Sequence, residues 1–153
     1  MQHQTLENLR KIAEVQPDKG APLLTRVERL TRWAELLERQ PDLRLQTLHG
    51  TEYRPVEIRE TMRNDHSPIS IAFADPVLRA AGLEGDTYGD AKRFFELSDW
   101  QLHEVVCYCH FGDSMKASTA ARVVRGTIGR SGPGIIGRLW NAMFHRGEPA
   151  AAH

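Results

Sequence analysis

Apolar residues return every three or four positions along most of this chain, the period of a helix packed on one side. In the segment 5–15, Leu6, Leu9, Ile12 and Ala13 share one side of a short helix, which Pro17, Gly20 and Pro22 bring to an end. The longest clean stripe follows over 23–40, where Val27, Leu30, Trp33, Ala34 and Leu37 line up and Pro41 stops the pattern. On the wet side of that helix, Glu28 and Arg32, and Glu35 and Arg39, stand four apart with the acid first. Such pairs are worth about 0.3–0.5 kcal/mol each.

The middle of the chain is less regular. The segment 55–63 reads as a two-turn helix with Pro55 at its first position and Ile58 and Met62 facing inward. Residues 69–73 alternate as a short strand would, but Ser67 and Pro68 open helices well and no partner strand is evident. Helix or irregular chain is therefore expected there. Residues 75–82 form a compact helical unit, with Asp75 as cap, Pro76 at the first position and Gly82 closing the end.

The last third is clearer. A helix over 88–96 buries Ala91, Phe94 and Phe95, and Ser98 with Gln101 makes a capping box that opens a helix running to about His110. A turn over 111–114 leads to a helix over 116–128 with the small inner face Ala117, Ala120, Ala121, Val124 and Ile128. Glycines and a proline in 129–134 make a linker. Beyond it, Ile135, Ile136, Leu139, Trp140, Met143 and Phe144 fall on one side of a final short helix. The expected fold class is all-α, a compact multi-helix domain over 1–128, the linker 129–134, and a basic amphipathic tail helix over 135–146.

A chain of 153 residues is one domain's worth, and its 41% hydrophobic and 26% charged residues sit near globular averages. Disorder of the whole chain is thereby excluded. The first 15 residues lack a cationic run followed by an apolar block, so a secretory signal is not expected. No stretch approaches the roughly 18 consecutive apolar residues of a membrane span. Cys107 and Cys109 are the two cysteines, and side chains two apart on a helix cannot easily bridge each other. A reducing compartment, the cytoplasm, suits them.

The net charge of zero conceals an asymmetry. Residues 1–113 hold 14 Lys and Arg against 19 Asp and Glu, a net of −5. Residues 114–146 hold Lys116, Arg122, Arg125, Arg130, Arg138 and Arg146 and no acid. Two destinations for that basic part are open: an anionic partner, or the chain's own acidic body.

Three features carry candidate chemistry. At 100° per residue Leu102, Val105, Val106 and Cys109 share a buried face, while His103, Cys107 and His110 meet on the adjoining flank. Two imidazoles and a thiol suit a transition metal, with His49 or His66 as a further ligand, or haem, although the cysteine spacing fails the c-type haem pattern. The same histidines can lower the pKa of Cys107 and make it a nucleophile, or they can simply pack at a helix margin. Second, the helices 99–110 and 116–128 outline a helix-turn-helix in which Ser118, Arg122 and Arg125 share the outer face. Third, the tail helix can dock on its own domain, on a second copy, in a partner's groove, or on an anionic membrane. Glycine-rich phosphate loops and recognisable serine-hydrolase or metalloprotease motifs do not occur. Asp86, Asp90, Glu96 and Asp99 near helix ends read as caps and dipole partners.

The expected function is a non-catalytic binding or regulatory module. Lys116, Arg122, Arg125, Arg138, Trp140 and Phe144 would contact a protein or anionic partner, or a second copy. The alternatives are a metal-, haem- or redox-responsive protein or thiol enzyme centred on His103, Cys107 and His110, and DNA binding by 99–128.

Overall fold

A computed structural model describes residues 23–107 and 112–130. In chain order these form α1 (Arg26–Glu38), β1 (Arg44–Gln46), a single 3-10 turn (Thr51–Tyr53), α2 (Val56–Thr61), α3 (Pro68–Ala74), α4 (Pro76–Ala80), α5 (Tyr88–Phe94), α6 (Asp99–Val106), β2 (Ser114–Lys116) and α7 (Ala117–Ile128). The fold is mostly helical, as the periodicity requires. The helix expected over 5–15, the segment 131–134 of the linker and the tail helix 135–146 lie outside the described residues.

α1 is the spine of the domain. Thr25 caps it reciprocally with Glu28, and Leu30, Trp33, Ala34 and Leu37 are buried. Val27, expected in that stripe, is about half exposed. The first turn instead directs Arg26 and Arg29 at the end of α5, where they donate to the carbonyls of Glu96 and Phe94. The Glu28–Arg32 pair foreseen along α1 also gives way to better partners. Glu28 accepts from Thr25, and Arg32 forks onto Asp75 at 2.6 and 2.9 Å. A buried, bidentate acceptor outcompetes an exposed glutamate on the same helix.

Trp33 fixes the centre of the core. Its ring stacks on Phe95 with centroids 4.3 Å apart, and its indole N–H donates to the Pro68 carbonyl at 2.9 Å. That leaves no buried polar atom unsatisfied on the largest core side chain. α7 packs mainly against α1, and Ala117, Ala120 and Ala121 let the two backbones approach. Thr127 rather than Ile128 fills the last buried position of α7, because its hydroxyl is satisfied by the Val124 carbonyl at 2.7 Å.

A two-stranded antiparallel sheet was not foreseen. Leu45 pairs with Met115, both side chains pointing into the core, with Arg44 opposite Lys116 and Gln46 opposite Ser114. Lys116 ends the strand and is at the same time the N-cap residue of α7. α7 has no side-chain cap. The carbonyls of Leu43 and Pro41 take the N–H groups of Ala117 and Ser118 at 2.9 and 3.0 Å.

α2 corrects a second expectation. Pro55 is its N-cap, and Ile58 is exposed, while only Met62 packs partly on the core. What holds α2 is its other side. A Cβ on Gly89 of α5 would come within 3.0 Å of both the Cβ and the carbonyl oxygen of Glu60, so the two helices touch where only glycine fits.

Candidate functional site

The functional question centres on α6, whose N-terminal box of Ser98 and Gln101 forms as the sequence predicts. Leu102, Val105 and Val106 point inward. Cys107 does not stand on the solvent-facing flank: it is 0% exposed. The reason lies at the end of the helix. Cys107 is the C-cap, with its N–H on the His103 carbonyl at 2.8 Å, and the segment after β1 closes over that end through Leu48 N–H to Val106 O, also 2.8 Å. Both sides of the last turn are covered, so an amphipathic phase no longer describes it. Cys109 and His110 lie outside the described residues.

His103 meets a hydroxyl and an indole. Its Nδ1 lies 2.7 Å from Oγ1 of the buried Thr51, and its ring stacks on Trp100 at 6.2 Å between centroids. The candidate further ligands are elsewhere: His49 Nε2 sits 2.8 Å from Asp113, and His66 is exposed beside Gln46. Among the described residues no three His, Cys, Asp or Glu side chains gather where a metal could be held.

The basic residues divide. Arg125 forks onto Glu38 of α1 at 2.6 and 2.7 Å, and Lys116 reaches Asp42 at 3.1 Å. The guanidinium hydrogen-bonded to Glu38 holds that carboxyl below its ordinary pKa, and the same bond raises Arg125. These two cations therefore fold back on the acidic body. Arg122 is exposed. Between α6 and α7 stands β2, and α7 packs chiefly on α1 as well as on α6. Arg138, Trp140 and Phe144 lie outside the described residues.

The structure leaves large apolar side chains in solvent on two segments that it ties to each other. Trp100 is 68% exposed, Tyr53 85% and Val56 52%. Two independent links draw the segment 51–59 against the first turn of α6. Thr51 bonds His103, which carries the stacked Trp100, and Arg59 Nη1 lies 3.3 Å from the carboxylate of Asp99, the neighbour of Trp100. Periodicity could have found Trp100, since it falls off the stripe of Leu102, Val105 and Val106. Tyr53 and Val56 carried no such signal.

Beside these side chains is a polar anchor centred on the half-exposed Asp99. Asp99 accepts from Lys92 Nζ at 2.9 Å, and the Tyr88 hydroxyl donates to its backbone carbonyl at 3.0 Å. Burial pushes the Asp99 carboxyl up, but the Lys92 contact, the Tyr88 hydroxyl and Arg59 together hold it below its ordinary pKa. Burial, followed by the Asp99 charge, raises the Tyr88 phenol well above its ordinary value. Tyr88 thus stays protonated as a donor. The arrangement fixes α2, α5 and α6 to one another and keeps Trp100 in place.

On the far side of the same face, the chain leaves α7 at Arg130. The Arg130 carbonyl accepts from Gln101 Nε2 at 3.4 Å, and its guanidinium lies 4.0 Å from Glu104. No helix among the described residues is long and apolar enough to cross a membrane. No family model, no curated protein and no solved structure matches the chain.

Proposed function

We propose that the protein is a non-catalytic binding module that recognises a protein partner through the Trp100, Tyr53 and Val56 surface, with its basic C-terminal segment taking part. The observation that supports this reading is the exposure of Trp100 on α6 and of Tyr53 and Val56 on the segment that Thr51 and Arg59 tie to α6. Exposed apolar groups that gather in one place mark interaction sites, and tryptophan and tyrosine are the residues most often found at the energetic centre of interfaces. A side chain held on a short helix with a satisfied cap loses little entropy on binding, which favours recognition. The partner is a protein with an apolar anchor, since the cations Lys116 and Arg125 are already matched within the chain.

The test replaces Tyr53 and Trp100 by serine in the intact protein and compares proteins captured from the native source with those captured by wild type. Both side chains are exposed, so unfolding stability should hold within about 0.5 kcal/mol. Captured partners should be lost from the double variant and retained by an Arg122→Ser control. Equal capture by wild type and double variant overturns the reading.

A further inference from the structure

The place where the chain leaves the described domain suggests what occupies this surface. Trp100 and Glu104 stand four apart on α6, on one face with Cβ atoms about 5–6 Å from each other. Arg130 is held at that same face, by Gln101 and Glu104. Five residue steps then lead to Ile135, and an extended chain spans at most about 3.3–3.6 Å per residue, so Ile135 lies within about 18 Å of Arg130. The intervening Ser131, Gly132, Pro133 and Gly134 permit a reversal of direction. The segment beyond carries Ile135, Ile136, Leu139, Trp140, Met143 and Phe144 at helical spacing, and as a helix its 12 residues to Arg146 would measure about 18 Å.

We infer that this chain's own segment 135–146 docks as an amphipathic helix on the Trp100, Tyr53 and Val56 surface, where it acts as an internal occupant that a partner must displace. The inference rests on the recognition reading and names the first ligand of that surface. An apolar stripe tethered one helical turn from an exposed tryptophan meets it at high effective concentration, because the short linker makes the encounter intramolecular. A competing helix from another protein must overcome that local concentration. The tail thereby scales every external affinity down to the fraction of time the surface is free.

Photo-cross-linking of the full-length chain tests this. A benzophenone amino acid replaces Trp140, the protein is irradiated at low concentration, and the products are separated by mass and mapped by peptide mass spectrometry. The expected product has monomer mass and joins position 140 to peptides containing 53–58 or 97–104. Adding Trp100→Ser should reduce that product several-fold, whereas Val27→Ser, on α1, should leave it unchanged. A cross-link found only in dimer-mass product would overturn the proposal and make a second copy the occupant. Cross-links to another face, or none, overturn it as well. Partner capture that depends on Trp100 without any such cross-link would overturn the docking and leave the recognition reading standing.

Discussion

Asp75 is the residue whose replacement probes the most structure at once. Its carboxylate accepts the Leu78 N–H at 3.1 Å and so caps α4. It also receives the Arg32 fork from α1, with Asp75 itself almost wholly buried. Asp75→Asn keeps a cap acceptor but removes the charge. Hydrogen bonds to charged groups are worth about 1.5–3 kcal/mol, and one bond to Arg32 can survive, so the cost should be near 2 kcal/mol. Asp75→Ala also deletes the cap, adding about 1 kcal/mol. A total near 3 kcal/mol lowers the melting temperature of a chain this long by about 10 °C.

The pH dependence carries a sign that separates this cause from a packing defect. The Arg32 hydrogen bond, helped by the Leu78 N–H, holds the folded Asp75 pKa below its ordinary 3.8 despite burial. The unfolded chain therefore binds the proton more readily, so the carboxylate contributes stability above the unfolded pKa and loses it as pH falls through the lower folded value. Urea unfolding followed by circular dichroism, at pH 7 and pH 3, measures both effects. The gap between wild type and Asp75→Asn should shrink at the lower pH. A gap that is absent at pH 7, or that stays constant between the two, refutes the assignment.

Two further outcomes follow from particular contacts. Gly89→Ala should destabilise by about 1–3 kcal/mol in chemical denaturation, because the added methyl meets Glu60 backbone that cannot step aside; a neutral result would mean α2 is not clamped on α5. Cys107 should resist thiol reagents in the native protein and react on unfolding, so labelling of Cys107 at a small-peptide rate under native conditions would contradict its burial.

Much of the helical scaffold was legible because its signals are local. The Ser98–Gln101 box and the Asp75-Pro76 start depend on residues within three positions of each other, and both form as written. The stripe of Leu30, Trp33, Ala34 and Leu37 was legible because a long helix repeats its phase. The sheet was not, since three residues per strand give one inward side chain each and no alternation to detect. Cys107 was misplaced by extending a helical phase past Val106, where coverage from the 45–51 segment replaces amphipathicity as the determinant of burial. The partners of Arg32, Lys116 and Arg125 lie 43, 74 and 87 residues away in sequence, beyond any local rule. Tyr53 and Val56 join the candidate surface only because Thr51 reaches His103 and Arg59 reaches Asp99.

The central claim is that the surface around Trp100 exists to be occupied, and cross-linking from that position in living cells tests it most directly. A benzophenone side chain placed at 100 in the intact protein should give discrete products, with another protein or with the chain's own segment 135–146. The same group at Val27, also solvent-exposed but on α1, should give none. Equal products from both positions, or none from position 100, would contradict the account.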